Sequence, residues 1–201
     1  MTTYNSQTHP KDILTTLFAS AARVAVLRLF VVDPLRPYYQ RQIEAATGLA
    51  IRAVQRELER LTSISLLYRR VEGNRTYYQV DEQFRLYPEL RSMLLKTASA
   101  YERLRAALAR ESAVRLAFLN TTDDRVLVVA AGNDRPALDT PEPYELEVMT
   151  GTEFTRCLAG DPGRLAPFLS GGADILGRRG DVIWRRIEAA GFEVAKGEGV
   201  P

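Results

Sequence analysis

Apolar residues early in the chain recur at the spacing of an α-helix. From Ile13 to Phe30 they return every three or four positions, which predicts helical structure with one apolar side. Ser20 is a residue type that caps helix N-termini. The helical pattern ends before Asp33-Pro34, because a residue that precedes proline disfavours helical backbone. The first structured segment is therefore expected to be helical.

The next forty residues change from helical spacing to strand spacing. A short helix is predicted from about Tyr39 to Ala46, where Gly48 stops it, and a second from about Leu49 to Leu61. Two strands then follow, Leu67–Val71 and Thr76–Val80. Gly73-Asn74 between them is expected to supply the positive-φ residues that a hairpin turn requires. Two short helices joined by a glycine turn and followed by a basic hairpin predict a winged helix-turn-helix.

A third pattern runs from Tyr87 to about Arg110 and predicts one long helix. Its apolar and small residues step by three and four positions, which is the stripe that a paired helix needs. The stripe can equally pack against the C-terminal part of the same chain, and the sequence leaves both readings open. It consists of Tyr87, Leu90, Leu94, Thr97, Tyr101, Leu104 and Leu108.

The last ninety residues read as a small α/β layer. Val114–Leu119 and Val126–Ala130 have the apolar content of buried strands, and Tyr144–Met149 alternates. Helices are expected around 152–159, 164–169 and 181–190. The predicted fold class is α+β, with a winged helix at 1–86, a linking and dimerisation helix at 87–111 and an α/β domain at 112–201.

Composition narrows the class of protein. The 201 residues are 46% apolar and 26% charged, which is ordinary for a globular protein. No apolar run reaches the roughly 18 residues of a membrane span, and residues 1–11 lack the apolar core of a signal peptide. One cysteine, Cys157, and one histidine, His9 in a tail expected to fray, argue against an internal disulfide and a zinc site. We expect a cytoplasmic, nucleoid-associated protein with no metal and no cofactor.

Charge is divided unevenly along the chain. Residues 1–80 contain 11 basic and 6 acidic side chains, whereas residues 112–201 contain 10 basic and 14 acidic ones. A basic front half joined to an acidic back half favours a polyanionic partner for the front half alone. We expect that partner to be double-stranded DNA.

Candidate DNA-binding residues lie on the two short helices and on the hairpin. Arginine can bind guanine and glutamine can bind adenine through two hydrogen bonds each, and arginines on a hairpin can reach phosphates or the minor groove. Taken singly, each is more simply a solvated surface charge; together they favour DNA, provided that they form one surface. The candidates are Arg41, Arg52, Gln55, Arg56, Arg69, Arg70, Asn74 and Arg75.

The segments 39–61 and 72–78 resemble the helix-turn-helix and wing of bacterial and archaeal winged-helix transcriptional regulators. In one branch of that family the motif Leu-Tyr-Pro-Glu-Leu-Arg follows, as at Leu86–Arg91 here, and then a minimal nucleotidyltransferase domain. The resemblance implies a dimeric DNA-binding regulator. One departure is Ala50 at the start of the second helix, where the family usually has Ser or Thr.

The C-terminal part resembles that nucleotidyltransferase domain with its catalytic motif degraded. Active members have a Gly-Ser turn and an Asp-x-Asp pair that binds two metal ions. Here the Gly-Ser turn is missing, Asp123 matches the first carboxylate, Arg125 replaces the second, and Glu147 stands for a third. The resemblance therefore implies a non-enzymatic domain retained for dimerisation or ligand sensing.

Two other functions stay open on the sequence. One is a nucleotidyltransferase-type enzyme, or its antitoxin-like relative, that is targeted by the winged helix. The other is an interaction module whose winged helix binds a protein. Away from the motif, the pairs Arg178-Arg179 and Arg185-Arg186 are interpreted as solvated, Cys157 as a small core residue, and Trp184 and Tyr101 as core or interface anchors.

Overall fold

The computed structural model describes residues 10–138 and 141–201, so His9 lies outside the described residues. The chain divides into two compact units, an N-terminal unit that extends to Glu102 and a C-terminal unit from Arg103 to Pro201. Helices and two separate sheets are both present, which confirms the α+β class. Among the described residues, no helix is both long and apolar enough to cross a membrane.

The N-terminal unit combines helices with a three-stranded antiparallel sheet of order β1-β3-β2. The short strand β1 pairs with β3, and β2 and β3 form a hairpin. Its elements are α1 (Pro10–Phe18), α2 (Ala21–Val32), β1 (Tyr38–Tyr39), α3 (Gln40–Thr47), α4 (Ile51–Ser63), β2 (Leu67–Glu72), β3 (Arg75–Val80) and α5 (Tyr87–Lys96), and α6 (Ala100–Arg110) crosses into the second unit.

Local sequence signals explain where these helices begin and end. The Ser20 hydroxyl accepts a hydrogen bond from the Arg23 amide at 3.1 Å, which confirms Ser20 as the cap of α2. Gly48 ends α3 with a φ of +68°, a left-handed conformation that glycine adopts without a Cβ penalty. The two predicted short helices are confirmed to within two residues at each end.

The predicted hairpin is confirmed, with one difference at its turn. Glu72 pairs with Arg75, so that Gly73 and Asn74 form a two-residue loop. Gly73 has a φ of +59°, but Asn74 does not share a positive φ. A turn with positive φ at the first loop position alone matches type II′, which requires glycine only there. The sequence expectation that both residues supply positive φ is therefore wrong for Asn74.

The long helix predicted from Tyr87 to about Arg110 is wrong, because the chain breaks between α5 and α6. The Ser99 amide donates to the Glu102 carboxylate at 2.8 Å, and the Glu102 amide donates to the Ser99 hydroxyl at 3.1 Å. This reciprocal pair is a capping box, which starts a new helix. Thr97 ends the preceding helix by donating its hydroxyl to the Leu94 carbonyl.

The apolar stripe of this segment is covered within the single chain. Tyr87 and Leu94 belong to the core of the N-terminal unit, and Leu90 packs against that core. Tyr87, Leu94, Leu104 and Leu108 are each at most 3% exposed. These four side chains are not open to a partner helix, which favours packing within the same chain, the second of the two readings that the sequence left open.

The C-terminal unit is built on a five-stranded mixed sheet of order β6-β5-β4-β7-β8. Strand β4 runs antiparallel to β5 and β7, whereas β5 is parallel to β6 and β7 to β8. The three predicted strands and three helices are present, and β7 and β8 were not predicted. The elements are β4 (Val114–Asn120), β5 (Arg125–Ala130), β6 (Glu145–Thr150), α7 (Gly151–Gly160), α8 (Pro162–Leu169), β7 (Gly172–Asp174), α9 (Val182–Ala189) and β8 (Ala195–Lys196).

Aromatic side chains centre the core of the C-terminal unit. Phe118 stacks with Phe154 at 6.2 Å and with Trp184 at 5.9 Å between ring centroids. Trp184 is thus a core residue, which is one of the two roles expected for it from the sequence. Cys157 is half-buried and packs against the same core.

The prediction that Arg178 and Arg179 are solvated is wrong. Arg178 donates to the carbonyls of Val114 and Ala109, and Arg179 donates to the Val194 carbonyl at 2.8 Å. Arg179 also pairs with the buried Asp174 and lies over the Trp184 ring. Both guanidiniums are therefore bonded to backbone carbonyl oxygens of other segments. Arg185 and Arg186, by contrast, are exposed as predicted.

Candidate nucleic-acid interface

Helix α4 presents a polar side and a buried apolar side. Arg52, Gln55 and Arg56 are exposed. Val54, Leu58 and Leu61 lie on the opposite side, in the core of the N-terminal unit. This separation follows from the helical period, which places residues three and four apart on one face. The three candidate base-contacting side chains of α4 therefore share a solvent-facing surface.

A buried carboxylate fixes α4 against the rest of the N-terminal unit. Glu57 is 3% exposed. It accepts a hydrogen bond from Arg23 of α2 at 3.0 Å and one from Arg60 at 2.8 Å. A buried charge needs such partners to offset the loss of hydration. Arg23 and Glu57 thus position α4, a role that its amphipathic pattern does not reveal.

Helix α3 lies beside the exposed side of α4. Arg41, its second residue, is exposed. The Gln55 amide of α4 donates to the Gln40 side-chain oxygen at 3.4 Å, which brings the start of α3 next to the middle of α4. At the same end, Gln42 accepts from the Tyr39 amide at 3.2 Å. The candidates on α3 and α4 accordingly lie on adjoining surfaces.

The candidates on the hairpin divide between its two faces. Residues paired across an antiparallel ladder point to the same side, and neighbours along a strand point to opposite sides. Arg70 pairs with Tyr77 and so shares the face of Arg75, whereas Arg69 pairs with Tyr78 on the other face. Arg69, Arg70, Asn74 and Arg75 are all exposed. The expectation of one common surface holds for Arg70 and Arg75 and is wrong for Arg69.

Arg75 is held by two tyrosines that the sequence reading did not select. Its guanidinium lies 4.8 Å from the centroid of the Tyr39 ring, and the Tyr39 and Tyr77 rings meet edge to face at 5.7 Å. A hydrogen bond with Tyr77 raises the pKa of Arg75 further, with a smaller contribution from the charge interaction with Tyr39. Because Tyr39 directly precedes α3, this contact joins the hairpin to the helix pair. Tyr39 and Tyr77 pair across β1 and β3. Their aromatic side chains were the sequence signal that could have identified this contact.

The first turn of α4 has no side-chain cap. Ala50 occupies the cap position in extended backbone, and its methyl group accepts no hydrogen bond. Helix α4 begins at Ile51, close to the predicted start. The first amides of an uncapped helix need acceptors from outside the helix, either water or a ligand. These amides lie at the same end of α4 as the exposed Arg52.

The residues compared with nucleotidyltransferase carboxylates are engaged in ion pairs. Asp123 lies 2.8 Å from Arg125, and Glu147 lies 2.6 Å from Arg164. Among residues 10–138 and 141–201, the structure shows no group of three His, Cys, Asp or Glu side chains that could hold a metal ion. The geometry at the start of β5 is therefore that of a surface ion pair.

Comparison with known proteins does not assign a function to the chain. No family model matches the chain, and no curated protein or solved structure matches it. The chemistry of the exposed faces of α3, α4 and the β2–β3 hairpin is thus the basis for assigning a role.

Proposed function

We propose that this chain is a sequence-specific DNA-binding transcriptional regulator whose N-terminal unit is a winged helix-turn-helix. In this proposal α4 is the recognition helix and the β2–β3 hairpin is the wing. The observation that carries it is the shared exposed face of Arg52, Gln55 and Arg56 on a helix whose other side is buried. An α-helix with such a face fits the major groove.

Each candidate side chain has a role that its chemistry fits. Arg52, Gln55 and Arg56 are assigned to base edges, where arginine and glutamine form paired hydrogen bonds. Arg41, at the start of α3, is assigned to a backbone phosphate. The hairpin residues supply further backbone contacts, which position a protein on the duplex without reading sequence. They are Arg70, Asn74 and Arg75; Arg69, on the opposite face of the hairpin, is left out of this assignment.

The arrangement favours DNA over a merely solvated surface. On a solvated face, charged side chains usually lie next to partners of opposite charge, and Arg70 does pair with Glu72 at 3.2 Å. Arg75 instead lies over the ring of Tyr39, which leaves its positive charge without a carboxylate in this contact. With 11 basic against 6 acidic residues in 1–80, the unit carries the positive charge that a duplex attracts.

For the C-terminal unit we propose a non-enzymatic role. A divalent cation needs carboxylates, and Arg125 places a guanidinium 2.8 Å from Asp123, which matches the first carboxylate of the transferase pattern. The positive charge there opposes metal binding. Metal-dependent transfer of a nucleotide to protein or RNA by the purified chain would contradict this part of the proposal.

We further propose that the regulator acts as a homodimer, since two linked recognition helices read longer sites than one. Because Tyr87, Leu94, Leu104 and Leu108 of the α5 and α6 stripe are buried, we assign the dimer contact to another surface. We assign the contact to Ile13 and Leu17, which are four residues apart on α1 and are 52% and 63% exposed. A loss of dimer in light scattering for Leu17→Glu would support this surface; an unchanged dimer would contradict it.

The main test is selection of bound duplexes from a random pool by the full chain, followed by binding measurements. Arg56→Ala is expected to weaken binding to the selected site by about tenfold or more, with a smaller loss on random duplex, as for lost base contacts worth roughly 1–3 kcal/mol. Arg75→Ala should weaken both similarly and lower the logarithmic salt slope by about 0.9.

Arg185→Ala is the matched control, because Arg185 is exposed in the C-terminal unit and outside this surface. It should leave both affinities unchanged. Equal losses for Arg56→Ala on the two DNAs would contradict its role as a base reader. Failure to enrich any duplex would contradict the proposed function.

A further inference from the structure

The C-terminal unit contains a cleft that the proposed DNA surface does not use. It has a volume of about 590 Å³, within the range of small-molecule sites. Two of its walls are the residues that directly follow β5 and β6, namely Ala131–Asn133 and Gly151-Thr152. These two strands are parallel, and ligands of open α/β sheets bind beyond the carboxyl ends of parallel strands.

Three arginines from three separate elements line this cleft. They are Arg115 of β4, Arg156 of α7 and Arg186 of α9, and the lining residues include no Asp or Glu. Arg115 is held by Asp181, whose carboxylate lies 2.6 Å from the Arg115 Nε. Asp181 is itself fixed, because it accepts from the Ile183 amide at 2.7 Å as the cap of α9. The Nη1 atom of Arg115 lies near Gly151, another residue that lines the cleft.

Arg156 and Arg186 are exposed, and neither has a carboxylate partner among the described residues. Two guanidiniums without a carboxylate partner and one oriented by a single carboxylate thus line one concave surface. All three side chains carry positive charge, so an anion bound among them would offset their mutual repulsion. One carboxylate needs a single arginine, whereas a phosphate monoester offers three oxygens to several.

The remaining lining suits an organic group attached to that anion. Ala131, Ala159, Val182 and Ile183 supply apolar surface beside the arginines. Asn133 and Thr152 add polar side chains. We propose that this cleft binds a small phosphorylated organic molecule, with its phosphate on Arg115, Arg156 and Arg186 and its carbon skeleton on the apolar wall. This site is independent of the proposed DNA surface.

The experiment is isothermal titration of the full chain with phenyl phosphate in phosphate-free buffer of low ionic strength. Inorganic phosphate, benzoate and benzyl alcohol test the anion and the apolar wall separately. Phenyl phosphate is expected to bind more tightly than the other three. Arg156→Gln combined with Arg186→Gln should weaken it by about tenfold or more, since hydrogen bonds to charged groups are the strong ones.

Arg185→Gln is the matched control, because Arg185 neighbours Arg186 on α9 but does not line the cleft. It should leave phenyl phosphate binding unchanged. An equal loss in this variant would show diffuse attraction and overturn the site. Absence of saturable binding, or benzoate binding as tightly as phenyl phosphate, would also overturn it.

The phosphate chemistry could instead come from a nucleic-acid backbone, and the same variants separate the two sources. Duplex DNA binding is measured for Arg156→Gln/Arg186→Gln beside phenyl phosphate binding. Loss of phenyl phosphate binding with DNA binding intact supports a small-molecule site. Loss of DNA binding alone would assign these arginines to a nucleic-acid surface and overturn the proposal.

Discussion

Each unit contains an antiparallel hairpin of similar length, and the two hairpins differ in what surrounds them. In β2 of the N-terminal hairpin only Leu67 is buried, and the other five residues are exposed. In β5 of the C-terminal hairpin only Arg125 is exposed, and the other five are buried. The first hairpin joins the core at one end and extends into solvent, whereas the second is the centre of its sheet.

This contrast separates side chains that stabilise the fold from those free to bind. Strands buried on both faces read as continuous apolar runs, as Val-Leu-Val-Val does at 126–129. The exposed hairpin instead carries Arg69, Arg70 and Arg75. Substitution should therefore affect unfolding in one hairpin and ligand binding in the other.

The largest effect is expected at Phe118 of the buried hairpin. Phe118→Ala removes a fully buried ring stacked on Phe154 and Trp184 and should lower the free energy of unfolding by about 3–5 kcal/mol. Val71→Ala on the exposed hairpin, where Val71 is 72% exposed, should change it by less than about 0.5 kcal/mol. Urea denaturation followed by circular dichroism measures both. Similar losses would contradict the contrast.

The next largest difference in stability is expected between alanine substitutions at two glycines, one in each unit. A Cβ at Gly172 would clash with the backbone carbonyl oxygens of Leu119 and Phe168, so Gly172→Ala should cost about 3 kcal/mol, the upper range for overpacking. A Cβ at Gly73 would meet nothing within 4 Å, and only its φ of +59° opposes alanine, at about 1–2 kcal/mol. Thermal unfolding compares the two variants. A larger loss for Gly73→Ala would reverse the assignment.

Substitutions at helix caps in the two units are expected to change the free energy of unfolding by a smaller amount. Thr150 caps α7 by accepting from the Glu153 amide, whereas Ala50 gives α4 no side-chain acceptor. Ala50→Ser is expected to raise the free energy of unfolding by about 1 kcal/mol, and Thr150→Ala to lower it by a similar amount. The same denaturation measurement tests both signs. A destabilised Ala50→Ser would show that this cap position is constrained by something else.

The smallest effect is a pH dependence in the C-terminal unit. The backbone amide of Thr150 and then the Arg135 guanidinium lower the pKa of Glu153 from 4.5 to about 2. A lowered carboxyl pKa adds stability above pH 4.5, and that contribution is lost as pH falls from about 4.5 to 2. Carbon-detected titration of Glu153 by magnetic resonance should show a midpoint near 2. A midpoint near 4.5 would contradict the capping contact, and Glu153→Gln should remove this part of the pH dependence.

Periodicity predicted the elements that have strong local signals. Gly48 marks the turn between α3 and α4, and the alternating strands around Gly73 predict the hairpin. The break between α5 and α6 was missed because the apolar stripe continues across it. Ser99 and Glu102 have the spacing of a capping box and were the signal that the stripe concealed. Strands β7 and β8 have three and two residues, too few for any period to register.

The features of the candidate sites that the sequence did not predict depend on contacts between segments that are far apart in the chain. Arg178 donates to carbonyls 64 and 69 positions earlier, and no local pattern marks those acceptors. The placement of Arg69 and Arg70 on opposite faces of the hairpin could have been predicted from the sequence, because adjacent strand residues point to opposite sides. The support of α4 by Arg23 and Glu57 again depends on a distant pair.

The position of Arg75 over the Tyr39 ring has an entropic consequence. A free arginine loses about 2 kcal/mol of rotamer freedom when it is immobilised. Contact with the ring already restricts the torsions of this side chain before any anion arrives. Part of the ordering cost is thus met during folding, and an anion at the hairpin tip encounters a preorganised guanidinium.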